Sequence, residues 1–233
     1  MRFFLGIRSC PFPIEAGTVT LILAPHQDDE TLGCGGTIAL LAEAGHSVHV
    51  TFVTDGAASQ PGYPHLVRRR KDEALQAATQ LGVAHPHLEF LDARDGSLAR
   101  LTTAEAGALS EKMAATLNRI RPTLVLLPCR EDGSSEHDAA HALFVQALAT
   151  TNLRPRMGEF PVWSWWNPRL LRRPLGRSRQ VWRATFPQHL AAKKRALACY
   201  ETQTRALEPD AGPMLTPEFI SFFLQSQEFF FEY

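Results

Sequence analysis

Thr18-Val-Thr-Leu-Ile-Leu-Ala24 runs directly into Pro25-His-Gln-Asp-Asp-Glu30 and then into Thr31-Leu-Gly-Cys-Gly-Gly36. The first stretch is short, apolar and β-branched, which reads as a buried β-strand. The second places a histidine and three consecutive acids just past the strand end. Burying unpaired charge costs several kcal/mol, so such a cluster needs a cation, a partner or water. The C-terminal edge of a parallel sheet is also where α/β proteins bind ligands. The stretch therefore predicts a metal site with a general base beside it.

Working outward, strand-like runs recur at Ser47–Thr54, His87–Leu91 and Thr123–Pro128, with helical patterns at Leu32–Ala44, Leu66–Leu81, Ala104–Ile120 and Ser135–Ala149. Gly45, Gly82 and Pro122 stand where those helices should stop. Alternating β and α elements predict an α/β protein, a mostly parallel sheet with helices on both faces. Beyond about Asn152 the alternation decays. Residues 160–168 are aromatic and broken by prolines, Leu190–Thr202 reads as helix, and Pro217–Phe231 ends in an aromatic run. The expectation is a single domain with a core over 18–150 and a C-terminal extension over 151–233 packed on it. The tail Phe229–Tyr233 fits either that core or another subunit.

The bulk numbers narrow the class. At 233 residues the chain can bury a full core, and its 45% hydrophobic and 21% charged content is that of a soluble globular protein. Its 24 lysines and arginines balance its 24 acids, so net charge gives no reason to invoke nucleic acid. Cys10, Cys34, Cys129 and Cys199 show no paired spacing, which reads as free thiols in a reducing cytoplasm. The apolar part of Met1–Arg8 is too short for a secretory signal, and no stretch nears the ~20 apolar residues of a membrane span. The expected location is cytoplasmic.

His26 and Asp29, three apart, suit two ligands on a tight turn entering a helix, and imidazole nitrogen and carboxylate oxygen are both zinc ligands. A second cluster, Cys129-Arg-Glu-Asp-Gly-Ser-Ser-Glu-His-Asp-Ala-Ala-His141, follows another strand end. Ser135 with Asp138 reads as a helix cap, which places His137 in the first turn and His141 one turn later on the same face. Neighbouring strands would bring His137 to His26 and Asp29. Two histidines and a carboxylate leave a coordination position open, the catalytic zinc pattern. His141 alone reads better as a packed or solvated helix residue than as a ligand, although His137 and His141 at i,i+4 could both bind metal. Asp28 is the natural general base. Glu30 has two equal readings, a carboxylate orienting a ligand histidine or a helix-start acid favoured by the dipole. Gly33, Gly35 and Gly36, with Asp55 at the next strand end, faintly evoke a dinucleotide loop, but the spacing is not G-x-G-x-x-G. Close helix–strand packing explains these glycines better.

Here the chain resembles the LmbE-like, or PIG-L, family of zinc-dependent N-acetylglucosaminyl deacetylases. Pro25-His-Gln-Asp-Asp-Glu30 is close to the family's A/P-H-P-D-D-E, and Asp132-Gly-Ser-Ser-Glu-His137 to its D-G-H-P-D-H. Val53-Thr-Asp-Gly56, Arg70-Lys-Asp-Glu73, Phe90–Gly96 and, more loosely, Tyr200-Glu-Thr-Gln203 extend the resemblance over about Thr18–Gln203. It implies a Rossmann-like three-layer fold, and His26, Asp29 and His137 as ligands of Zn2+, with Fe2+ an alternative on the same set. It further implies Asp28 as the base activating water for attack on an acetamide, releasing acetate and an amine. Arg70, Asp95, Ser134, Glu136 and His141 are expected at the substrate or just behind the ligands. The implied partner is a small N-acetylated amino sugar or its glycoconjugate.

Three departures stand out: Gln27 for a proline, Glu136 for an aspartate, and Ser134 for a histidine that serves the oxyanion or the leaving amine. Losing one such donor typically costs ~10²–10³ in rate, so His141 or Arg130 would have to substitute. Otherwise the chain is a weakened metal-containing sugar-binding protein, or a zinc amidase acting on a non-sugar amide. The span Trp163–Arg183 has its own alternatives. Between Phe160 and Tyr200 there are seven arginines and two lysines but no acid. A lid stacking on sugars, a contact with an anionic membrane surface, and a packed aromatic segment with a solvated basic face all fit.

Overall fold

The computed structural model describes residues 5–6, 8–60, 62–63, 65–167, 169–207 and 212–233. Pro168 and part of Met1–Arg8, on which sequence readings fall, lie outside the described residues. The strands are β1 (Ser9–Pro11), β2 (Val19–Ala24), β3 (Ser47–Thr54), β4 (Leu88–Ala93), β5 (Leu124–Pro128), β6 (Arg156–Phe160), β7 (Val181–Thr185) and β8 (Gln227–Glu232). They form one sheet in the order β1-β7-β8-β6-β5-β2-β3-β4. Every pairing is parallel except the two made by β8, with β6 and with β7. The protein is α/β with a mostly parallel sheet, as the alternation predicts.

Between the strands lie α1 (Asp29–Glu43), α2 (Leu66–Gln80), α3 (Thr103–Ile120) and α4 (Ser135–Ala149). Further along come α5 (Arg172–Arg177), α6 (Leu190–Cys199), α7 (Glu201–Thr204) and α8 (Pro217–Ser221). The two faces of the sheet are read straight from β2. Ile22 and Ala24 join the apolar cluster under α1, α2 and α6, whereas Leu21 and Leu23 join the one under α3 and α4. Period-2 alternation within a wholly apolar strand thus feeds two cores, the signature of a strand covered on both sides.

The chain runs outward from β2 through β3 to β4, then crosses back to β5 on the other side of β2 and on to β6. The order reverses at β2/β5, and the loops leaving those two strands meet over a crevice there. Both acidic, histidine-bearing clusters of the sequence follow these two strands.

Local chemistry sets the ends. Gly45 and Gly82, both left-handed, follow α1 and α2. Thr102 caps α3 in a reciprocal capping box with Glu105. Three expectations shift. Helix α1 begins at Asp29, three residues before Leu32, because the turn out of β2 is completed within Pro25–Asp28. The cap of α4 is Ser134 and not Ser135, with the Ser134 hydroxyl accepting from the His137 amide at 3.4 Å. The span beyond 151 does not merely pack on a finished sheet but supplies β6, β7 and β8. The aromatic tail is β8 itself, with Phe229, Phe230 and Phe231 buried between β6 and β7.

The glycines of α1 act in packing. A Cβ on Gly33 would lie 2.3 Å from the Phe160 ring, and one on Gly36 would lie 2.0 Å from Phe186. Across the same helix, Glu228 of β8 accepts from the Gly36 and Thr37 amides at 2.9 Å each, while Lys193 of α6 donates to Glu228 at 2.6 Å and to the Leu32 carbonyl at 2.8 Å. A buried ion pair therefore ties three elements together.

Candidate metal centre

The loop after β2 is pinned before it carries any chemistry. The Pro25 carbonyl accepts from the Thr54 amide and hydroxyl, and Gln27 Nε2 donates to the Thr54 carbonyl at 2.8 Å. Asp28 follows with φ 148°, a conformation that non-glycine residues rarely adopt. Its amide donates to Glu30 Oε2 at 3.1 Å, and Glu30 also accepts from the hydroxyls of Thr31 and Tyr200. Glu30 thus orients no ligand histidine. It holds the backbone of Asp28, through a tyrosine that lies far away in the chain.

His26 and Asp29 face each other across the turn, Nδ1 to Oδ2 at 3.2 Å. The other His26 nitrogen lies 3.1 Å from Asp95 Oδ1. From the β5 side, His137 projects from the first turn of α4, with its Nδ1 3.0 Å from Asp132 Oδ2. Asp132 also accepts from the amides of Val162, Trp163 and Ser164, so its carboxylate is fully engaged as an acceptor. The His137 Nδ1 must then be the donor, which turns the Nε2 lone pair of the neutral ring outward. That Nε2 is buried, lies 3.3 Å from Asp29 Oδ2 and has no hydrogen-bond partner.

Donor atoms of His26, Asp29 and His137 all fall within 4.8 Å of one another. A buried, unpartnered imidazole nitrogen aimed at a carboxylate and a second imidazole is what a divalent cation fills, and two nitrogens with one oxygen suit zinc or iron(II). His26, Asp95 and Glu136 make a second such group.

The electrostatics agree with a place for positive charge. Burial alone would lower the His137 pKa, but the charge of Asp29 and the bond to Asp132 raise it to about 10. Burial opposes the rise at His26 too, yet bonds to Asp29 and Asp95 carry it to about 9. Burial would raise Asp29, but the nearby charges of His137 and His26 and the bond to His26 hold it well below the usual carboxylate range. Asp28 moves the other way. Burial raises it to about 7, with the Asp29 charge adding to the rise and the Arg70 guanidinium opposing it.

Arg70, itself buried, donates to Asp28 Oδ2 at 3.2 Å and to the carbonyls of Gln27 and Gly56 at 2.7 and 2.9 Å. Gly56 is left-handed, and a Cβ there would sit 2.8 Å from the guanidinium. Glu136 accepts from the Gly96 and Leu98 amides and so holds the loop that carries Asp95. Asp55 accepts from the Ala57 and Asp95 amides, which occupies it in loop building and not in ribose recognition.

Two residues stand apart. His141 turns to Glu159 at 3.0 Å with its ring against Tyr233, and Arg130 binds the same Glu159. Neither lines the cavity over the centre, and Ser134, the cap of α4, does not line it either. That cavity, about 210 Å³, has His26, Asp28 and Arg70 on its floor and Trp163, Leu215 and Phe219 on its far wall. Sequence reading missed the roles of Asp132 and Tyr200 and the wall residues Met214, Leu215 and Phe219, whereas Trp163 lies in the span for which a sugar-stacking lid is one alternative. Asp132 stood in the quoted motif, but its partner amides lie some 30 residues away.

Fold and site together define an α/β protein with a group of residues that could hold a metal ion at the sheet's switch point. Residues 21–148 match the family described as PIG-L: GlcNAc-PI de-N-acetylase, over more than half of the chain, and the protein belongs to this family. It is 30% identical over 140 residues to the diacetylchitobiose deacetylase of Thermococcus kodakarensis, covering 57% of this chain and 50% of that one. It is 29% identical over 137 residues to the 2'-N-acetylparomamine deacetylase of Streptomyces fradiae, covering 52% and 49%. The chain thus spans about half the length of the curated relatives it matches. Among solved structures, a conserved protein of Thermus thermophilus superposes with a TM-score of 0.61 at 26% identity, covering 80% of each chain. No helix among the described residues is long and apolar enough to cross a membrane.

Proposed function

We propose that this protein is a metal-dependent amide hydrolase that removes the acetyl group from an N-acetylated amino sugar or its conjugate. The observation that carries the reading is the buried, unpartnered His137 Nε2, aimed at Asp29 and His26, with Asp28 beside them on the cavity floor. Family membership and relatives named as amino-sugar deacetylases support the substrate class.

A divalent cation on His26, Asp29 and His137, zinc or iron(II), would polarise the acetamide carbonyl and make water beside it acidic. The protein's own residues do the rest. Asp28 accepts the proton from water at its carboxylate, with Arg70 fixing that carboxylate through Nη2. Asp29 is committed to the two histidines and is not free to act as base. With His141 and Arg130 turned away and a serine at 134, Asp28 is also the group placed to return the proton to the leaving amine. The products balance: water and amide give acetate and amine.

Metal analysis with acetate-release assays tests this. Asp28→Asn is expected to lower kcat by roughly 10²–10⁴, the range for removing a general acid–base, while metal stoichiometry stays near that of the wild type. Turnover unchanged in Asp28→Asn would refute the role. Ser134 favours one second reading, a weakened metal-containing binder, which would show bound metal and sugar binding with no acetate released from any amino sugar.

A further inference from the structure

The cavity over the centre has two unlike sides. Polar groups of His26, Asp28, Asp29, Arg70 and Asp95 line part of it, and Val162, Trp163, Met214, Leu215 and Phe219 form an apolar wall, with Leu32 also in the lining. That wall continues outward. The Trp163 ring lies 5.0 Å from Phe219, and Trp166 lies 5.9 Å from Phe219 and 5.8 Å from Phe222. Trp166 is 56% exposed, Met214 50%, and Trp163 and Phe222 39% each. Single exposed apolar residues are ordinary, whereas an exposed patch in which Trp163 and Met214 line the cavity and Trp166 and Phe222 continue it outward marks a binding surface.

The polar groups near the wall are largely engaged within the chain. Ser59 Oγ donates to the Gly56 carbonyl, Gln203 Nε2 to Thr202, and Asp95 accepts from Ala58 while contacting His26. A second sugar or an inositol seated here would face aliphatic and aromatic carbon where its hydroxyls need partners, and each unmatched hydroxyl weakens binding. Because the proposed reaction removes acetyl, the acyl side of the substrate is a single methyl. The surface leading outward is therefore left to whatever the sugar carries.

We propose that this wall is an aglycone subsite, and that the substrate is an N-acetylated amino sugar bearing a compact aryl or alkyl group. The inference rests on the amide-hydrolase reading of the same cavity. Trp166, Phe222 and Met214 are its specificity-determining residues and touch no reacting atom.

The test is acetate release by the metal-loaded protein from methyl, butyl, hexyl and phenyl N-acetylglucosaminides, N,N'-diacetylchitobiose and methyl N-hexanoylglucosaminide. Expected is kcat/KM rising along the alkyl series, to about tenfold for the hexyl or phenyl over the methyl glycoside, as burial of a ring face or a few methylenes provides. Trp166→Ala should lower the phenyl-to-methyl ratio several-fold, and a six-carbon group on the amide should give no such gain. A flat alkyl series, or diacetylchitobiose as the best substrate, overturns the subsite and leaves the hydrolase standing. A gain confined to the N-hexanoyl compound assigns the wall to acyl chains and overturns it as well. Sedimentation showing a dimer that Trp166→Ala disperses, or binding to phosphatidylcholine vesicles, would give the surface to another occupant. Acetate from none of the compounds removes the hydrolase reading and the subsite with it.

Discussion

Asp28, the proposed base, sits on a backbone that resists it. A φ of 148° costs a non-glycine residue on the order of 1–3 kcal/mol and persists only where the surroundings enforce it. Here Glu30 enforces it by accepting the Asp28 amide, and Tyr200 and Thr31 hold Glu30 in turn. Tyr200→Phe is therefore expected to lower kcat about tenfold, the size of one lost bond to a charged group. KM and metal content should hold, with Glu30→Gln milder than Glu30→Ala because it keeps an acceptor for that amide. An equal fall in kcat and metal content would mean that the tyrosine merely supports the fold. The two histidines proposed as ligands give a pH prediction. Without metal, their pKa values of about 9 and 10 keep both protonated at neutral pH, so a cation must displace protons to bind. Apparent affinity should then rise with pH up to that range and fall toward acid. Calorimetry in buffers of different ionisation enthalpy at pH 7 should record about two protons released per metal. Pairwise spacing made His26, Asp28 and Asp29 legible in the sequence, and a second strand end made His137 legible. Tyr200 was not, since nothing local links it to an acid 170 residues earlier in the chain.

Helix α1 shows why its glycines read ambiguously. A run of Gly33, Gly35 and Gly36 after a strand end faintly evokes a phosphate loop, and although its spacing favours a close contact, the partner ring decides. A methyl on Gly36 has no room beside Phe186, so Gly36→Ala should destabilise by about 1–3 kcal/mol, as overpacking does. Gly107 in α3 meets nothing within 4 Å, and Gly107→Ala should instead stabilise by roughly 0.5–1 kcal/mol, as relief of an unneeded glycine in a helix. Urea unfolding of both variants checks the pair, and equal signs would contradict the packing account. Strand β3 and helix α4 fall at the residues their patterns predict, because each has its own periodicity and clear flanking signals. The start of α1 and the cap of α4 moved because a loop fixed by tertiary bonds, and not the local pattern, decides where helical dihedrals begin.

The part of the fold that periodicity could not reveal is the part that closes the sheet. Gln227-Glu-Phe-Phe-Phe-Glu232 alternates neither by two nor by 3.6, because β8 is buried on both faces, and a fully buried strand reads the same as a buried helix fragment. Its place between β6 and β7, far from its sequence neighbours, is set by pairing that no local signal encodes. Yet it carries much of the molecule's cohesion. Glu228 receives two amides of α1 and the ammonium of Lys193, which is itself fully buried. Removing one member of a buried ion pair typically costs ~3–5 kcal/mol, because the remaining charge stays desolvated. That is a large share of the ~5–15 kcal/mol a domain has in total. Glu228→Ala should therefore lower the unfolding free energy by about that amount and loosen α1, at whose first turn Asp29 sits. Metal affinity should fall with it, although Glu228 lies beneath the middle of the helix. The double variant Glu228→Ala with Lys193→Met, which removes both charges, should recover much of the stability. Chemical denaturation and metal titration on the three proteins measure both effects. A single variant as stable as the wild type would mean that the ion pair is not what binds the last strand to the helix that carries the site.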